Sequence, residues 1–169
     1  MTGTRTAQVV VPDAEAMRAL GRSLAVTLRG GDLVVLTGPL GTGKTTFTQG
    51  LGEGLGVRGQ VASPTFIIAR VHPSLVGGPA LVHVDAYRLG SLEELDALDL
   101  DESLEDSVTV VEWGEGLAEV LAEDRLEVVL DRSAAAGDPL DPAEADAGVR
   151  RVLIRAVGPR WSGVALPGR

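Results

Sequence analysis

Apolar residues fall along this chain in two rhythms. Between Ala14 and Leu28 they recur every three or four positions, at Met17, Leu20, Leu24 and Leu28, which places them on one face of a helix. Asp13 precedes them as an N-cap acceptor, and Gly30-Gly31 follows as a stop. Elsewhere they come in short runs: Val9-Val10-Val11, Leu33-Val34-Val35-Leu36 and Val108-Thr109-Val110-Val111. Runs of this kind predict strands, and the run inside Asp32–Thr37 predicts one buried on both faces of a central parallel sheet. Further strands are predicted over Phe66–Val71 and Ala80–Val84, joined by a hairpin turn at Val76-Gly77-Gly78-Pro79. Leu126–Leu130 and Val152–Ile154 complete the set as an antiparallel pair. A second helix is predicted over Thr46–Leu55, loosened at its far end by Gly52, Gly54 and Gly56. The capping-box pattern Ser91-Leu92-Glu93-Glu94 starts a third, and Leu117–Leu121 is a short fourth. Residues 133–148, rich in Ala, Asp, Pro and Gly, read as a long mobile loop. The tail from Gly158 onward is expected to fray.

Composition narrows the class. The chain has 169 residues, 44% of them hydrophobic, and no cysteine. That is enough for one globular domain with a real core, expected over residues 1–157 with a flexible tail at 158–169. Without cysteine there is no disulfide framework or thiolate metal site, and His72 and His83 alone cannot build a zinc site. No apolar run is long enough to span a bilayer, and no signal-peptide pattern opens the chain, so the expected location is cytoplasmic, with no membrane partner. The formal net charge of −9 argues against a nucleic acid gripped directly and tightly. The very acidic stretch 93–106 reads as a solvated helical face, with a partner surface as the sharper alternative.

The chemistry gathers in one stretch, Gly38-Pro39-Leu40-Gly41-Thr42-Gly43-Lys44-Thr45-Thr46. It fits the P-loop pattern of Gly, four residues and Gly-Lys-Thr, and it lies between a predicted strand and a predicted helix. Gly38, Gly41 and Gly43 let the backbone approach a ligand, and the loop's N–H groups form an anion nest at the positive end of a helix. Lys44 can place its ammonium between β- and γ-phosphates, and the Thr45 hydroxyl can reach Mg²⁺. Lys44 is also the only lysine in the chain, kept where a compact point charge suits phosphate. The implied fold is a P-loop NTPase-like three-layer α/β/α sandwich, with a mostly parallel central sheet and antiparallel additions.

In open α/β sheets, ligands sit beyond the carboxyl ends of strands. Thr37, Asp85 and Glu112 fall at such ends. A P-loop nucleotidase needs a carboxylate opposite its P-loop threonine to hold Mg²⁺ directly or through water. Glu112 follows the longer apolar run and is favoured for that role. Asp85 then orients a metal-bound water or activates the attacking one; a helix cap or surface charge is the plain alternative for either. Thr65, on a bend after Pro64, could sense the γ-phosphate as switch segments do, or be a bulge threonine. His83, inside an apolar strand, reads more readily as a satisfied core histidine than as a catalyst. Trp113 reads equally as core or as a cover over the site.

Four motifs occur in one order: Gly-Pro-Leu-Gly-Thr-Gly-Lys-Thr-Thr at 38–46, Ser-Pro-Thr-Phe at 63–66, His-Val-Asp-Ala-Tyr-Arg-Leu at 83–89 and Val-Glu-Trp at 111–113. Together, from about Ala7 to Ala156, they resemble the TsaE (YjeE) family, the bacterial P-loop ATPase of tRNA threonylcarbamoyladenosine (t6A) synthesis. The resemblance implies binding of ATP and Mg²⁺, slow hydrolysis alone, and work with TsaD and TsaB. Those partners transfer the threonylcarbamoyl group to adenosine 37 of tRNA, so tRNA is met only through the complex. It further implies that Thr45 and Glu112 bind Mg²⁺, that Asp85 is the second carboxylate needed for turnover, and that Thr65 lies in a switch-like bend. Residues near Pro12–Ala14 correspond weakly to a base-contacting stretch.

Competing readings are weaker. A small GTPase needs an Asn/Thr-Lys-x-Asp segment to read guanine, and the one lysine is already in the P-loop. A small-molecule kinase of this size carries an arginine-rich lid, and residues 133–148 hold no arginine. A nucleotide-gated binding module stays open as a non-enzymatic alternative.

Overall fold

The computed structural model describes residues 4–38, 43–57, 69–85, 106–112, 124–132 and 149–167, with only the backbone described for residues 69, 70, 85 and 132. The strands are β1 (Thr4–Val11), β2 (Leu33–Thr37), β3 (Ala69–His72), β4 (Ala80–Asp85), β5 (Ser107–Glu112), β6 (Arg125–Arg132) and β7 (Arg150–Val157). The helices are α1 (Ala14–Ala25) and α2 (Lys44–Leu55), and a 3₁₀ turn follows over Pro159–Trp161. The expected acidic helical stretch 93–106, save its last residue Asp106, the expected helix over 117–121, the bend at Thr65 and the loop 133–148 lie outside the described residues.

The strands form one sheet in the order β1-β7-β6-β2-β5-β4-β3. Its centre is parallel, with β2 paired to β6 on one side and to β5 on the other, and β5 paired to β4. The flanking pairs β1–β7, β6–β7 and β3–β4 are antiparallel. A parallel centre with antiparallel additions is what the run-like and hairpin-bounded strands predict. The hairpin turn before β4 and the antiparallel β6–β7 pair are both present, with β6 and β7 longer than their apolar cores.

Burial follows the two rhythms. Leu33, Val34, Val35 and Leu36 are all buried, as are Val108, Thr109, Val110 and Val111, because a central parallel strand is covered on both faces. In α1 the buried residues are Met17, Leu20, Gly21, Leu24 and Ala25, and the Asp13 side chain accepts from the Ala16 N–H at 2.8 Å as the N-cap. The helix ends at Ala25, ahead of the Gly30-Gly31 stop, although Leu28 is buried all the same. One core joins α1, α2 and the sheet positions Val34, Leu36, Val110, Val128 and Ile154.

Two expectations are corrected. Gly52 and Gly54 do not loosen the chain after α2; they lie inside it, and Gly56 is the left-handed C-cap. Gly54 serves helix–helix contact instead, since a Cβ there would lie 2.6 Å from Ala25 Cβ, and Gly50 and Gly21 do the same. A Cβ on Gly50 would lie 2.0 Å from the Arg18 carbonyl oxygen, and one on Gly21 would lie 2.3 Å from the Phe47 carbonyl oxygen. The backbones of α1 and α2 therefore touch where a side chain would hold them apart.

The segment after Gly158 does not fray within the described residues. Trp161 is 1% exposed. Arg160 grips Asp32 through two bonds, Nε to Oδ1 at 3.0 Å and Nη2 to Oδ2 at 2.9 Å, and Nη2 also donates to the Thr27 carbonyl at 2.8 Å. Arg5 donates to the carbonyls of Trp161 and Val164. The tail thus closes over the start of β2. Breaking a buried ion pair leaves one charge without its partner. Arg160→Ala is accordingly expected to lower unfolding stability by about 3 kcal/mol, read as a fall in the denaturant midpoint. A midpoint unchanged from the parent would mean that the Arg160–Asp32 pair contributes nothing to the fold.

Candidate functional site

The site is set by where three parallel strands stop. β2 ends at Thr37, β4 at Asp85 and β5 at Glu112. In register, Glu112 pairs with Leu36 on one side and with Asp85 on the other. All three strands run the same way, so these ends share one edge of the sheet, as the strand-end argument requires. The chain leaves that edge from β2, passes Gly38 and returns as α2 at Lys44.

Gly43 is the N-cap of α2, with φ at 101° and no side-chain capping bond. Gly43 itself brings no side-chain oxygen to the first turn of the helix, the turn where an anion-binding helix end presents its N–H donors. Glycine is favoured here by the left-handed φ, which disfavours any side chain; a Cβ would also come within 3.2 Å of Met17 Cε, at the flexible end of that side chain. α2 begins at Lys44, two residues before the predicted Thr46. Lys44 is 7% exposed, and its ammonium donates to the Gly38 carbonyl across the loop. Thr45 and Thr46 are half-buried. Thr48 returns a hydroxyl bond to the Lys44 carbonyl at 2.9 Å, which steadies the first turn. Residues 39–42 and Thr65 lie outside the described residues.

Glu112 is 4% exposed. Its Oε2 lies 3.2 Å from Nε2 of His83, which is itself fully buried. Neither ring nitrogen of His83 has a well-aligned hydrogen-bond partner among the described residues. The satisfied core histidine expected from the sequence is therefore corrected: the ring is in the core but not satisfied there. The signal was available in the spacing, since His83 stands two strand positions before Asp85 and so on the face its strand shares with the Glu112 end.

Mg²⁺ suits one or two protein oxygens completed by phosphates and water, at a site with little room for other donors. A buried carboxylate at the end of β5 and a hydroxyl on the first turn of α2 fit that demand. Among the described residues no cluster of three or more His, Asp or Glu forms a fuller cage. No helix among them is long and apolar enough to cross a membrane.

A central strand feeding a glycine-capped helix, with buried carboxylate at the neighbouring strand end, defines a P-loop NTPase-like α/β fold. Residues 11–138 match the family model described as threonylcarbamoyl adenosine biosynthesis protein TsaE. A Streptomyces coelicolor protein named tRNA threonylcarbamoyladenosine biosynthesis protein TsaE is 63% identical over 147 residues, covering 86% of this chain and 94% of that one. A Bacillus subtilis protein of the same name is 37% identical, over 87% of this chain and 84% of its own. The crystal structure of Bacillus subtilis YdiB superposes with a TM-score of 0.67 at 31% identity, covering 96% of this chain and 91% of that one. The chain belongs to the TsaE family.

Proposed function

We propose that this protein is a Mg²⁺-dependent ATPase supporting t6A formation on tRNA, acting in the cytoplasm through a complex with TsaD- and TsaB-like proteins. The observation that carries the reading is the level placement of buried Glu112 beside the end of β2, from which the loop runs to Lys44. In this reading the loop 38–46 and the first turn of α2 cradle the phosphates, with Lys44 supplying charge between β and γ. Thr45 and Glu112 hold Mg²⁺, which offsets charge on the phosphate oxygens. Asp85, the register partner of Glu112, orients the attacking water, and Thr65 responds to the γ-phosphate. The names of the relatives support the tRNA role, and the acidity of the chain fits indirect contact with tRNA.

The test is steady-state ATP hydrolysis with Mg²⁺, alone and with a TsaB–TsaD pair added. Slow turnover that rises with the pair is expected, and it should fall at least tenfold in Glu112→Ala, with nucleotide still bound. That is about 1.4 kcal/mol of transition-state stabilisation. Turnover indifferent to the pair would remove the partner assignment; normal turnover in Glu112→Ala would remove the metal assignment.

A further inference from the structure

We propose that His83 is the positioning residue of Glu112: its Nε2–H holds Oε2 of the carboxylate, so that Oε1 is the oxygen left for Mg²⁺. This rests on the metal role given to Glu112 above, and the test keeps the two apart.

Three observations carry it. The contact is close, 3.2 Å from Nε2 to Oε2, between side chains that are 0% and 5% exposed. Burial of this kind confines both groups, and a small turn of either side chain brings the N–H onto the oxygen in surroundings where a hydrogen bond is strong. Second, the imidazole has no competing use among the described residues: Nδ1 has no hydrogen-bond partner, and the one carboxylate near Nε2 is that of Glu112, in contact but not in ideal hydrogen-bond alignment. An unpaired buried nitrogen is costly, and a polar group left so in a core calls for an explanation. Third, the neighbours would accept an aliphatic residue. His83 pairs in register with Val110, and Leu81 sits two positions earlier on the same strand; both are fully buried. Packing against these described neighbours does not ask for histidine.

The chemistry explains the fit. A carboxylate at a metal site must present one oxygen in a fixed direction, and its orientation is set by what the other oxygen bonds to. A long, flexible glutamate needs such a hold more than an aspartate does, because it has one more rotatable bond. The register supplies the reach: Glu112 lies level with Asp85, two residues beyond His83, so the imidazole approaches the carboxylate from within the core.

The test compares His83→Leu, His83→Gln and His83→Asn. Glutamine carries an N–H near the position of Nε2, asparagine near that of Nδ1. Loss of an outer partner of this kind costs roughly 10- to 100-fold in metal affinity or activity. The Mg²⁺ concentration for half-maximal hydrolysis is expected to rise at least about tenfold in His83→Leu and His83→Asn, and to return to within about threefold of the parent in His83→Gln. ATP binding without Mg²⁺ should be unchanged in all three. A second readout uses the metal-free, nucleotide-free chain: a double-mutant cycle of His83→Leu with Glu112→Gln on the unfolding constant. Coupling of about tenfold is expected for two side chains in contact.

Parent-like Mg²⁺ dependence in His83→Leu, with Glu112→Ala impaired, would overturn the proposal alone. Parent-like Mg²⁺ dependence in Glu112→Ala would overturn the metal reading and this proposal with it. If His83→Leu does not fold, equal behaviour of the Gln and Asn variants would overturn it, as would zero coupling in the cycle.

Discussion

Replacing Gly50 by alanine is expected to destabilise this protein by about 3 kcal/mol, against the ordinary preference of helices. By intrinsic propensity the change should help, because alanine is favoured over glycine inside a helix by about 1 kcal/mol. Contact with α1 reverses the sign. The new Cβ would lie 2.0 Å from the Arg18 carbonyl oxygen and 2.8 Å from its carbonyl carbon. These are backbone atoms of a second helix and cannot swing aside as a side chain can. Forcing atoms into a packed core typically costs about 1–3 kcal/mol, and two facing backbones leave no cheap relaxation. The measurement is chemical unfolding beside Gly78→Ala, whose Cβ would meet only the Ser74 hydroxyl at 3.8 Å. A stable Gly50→Ala would mean that the helices part freely. An unstable one would show that the close α1–α2 contact supports the fold, on the same helix that carries Lys44.

Lys44→Ala is the second large effect. The variant should bind ATP roughly 30- to 150-fold more weakly, corresponding to about 2–3 kcal/mol for a charge-assisted hydrogen bond lost from a sheltered site. In this structure the ammonium donates to the Gly38 carbonyl, so it is already held over the loop. Unfolding stability should change much less than affinity, because the lost group serves a ligand more than the core. Calorimetric titration with ATP, with and without Mg²⁺, reads the effect. Unchanged affinity would remove the phosphate role of the loop. Arginine at this position should not restore binding, because its planar fork differs in shape from a point charge.

These two positions show how differently the sequence speaks about site and frame. Lys44 is legible at once: the glycine spacing, the strand before and the helix after specify it locally. Glu112 and Asp85 are nearly as legible, because an apolar run ending in a carboxylate marks the end of a buried strand. Gly50 is not legible in its role. By propensity alone glycine counts against a helix, and only the neighbouring backbone of Arg18 shows that the missing side chain is the point. Arg160 is a similar case. It stands among Gly, Pro and Ser residues that read as a fraying tail, yet its partner Asp32 is 128 positions away in the chain.

The surface network on α1 and α2 belongs with the latter. Arg22 bonds Glu15 on its own helix at 3.0 Å and Glu53 on α2 at 2.9 Å. Its hydrogen bond to Arg22 holds the Glu15 carboxyl below the usual range. The i,i+7 partner follows from helical spacing, whereas the link to α2 exists only once the two helices have met.

By itself the sequence determined the period of the described elements, the strand ends that carry carboxylates, and the glycine-capped turn that starts α2 at Lys44. All of these are local, written within a dozen residues by alternation, capping and glycine spacing. Tertiary structure alone decided the strand order, the level pairing of Asp85 with Glu112, the contact of His83 with that carboxylate, the backbone crossing at Gly21 and Gly50, and the docking of Arg160 on Asp32. Each depends on which distant segment arrives as neighbour. That choice is made by burial of the whole core at once, a sum over many weak contacts that no single stretch of chain records.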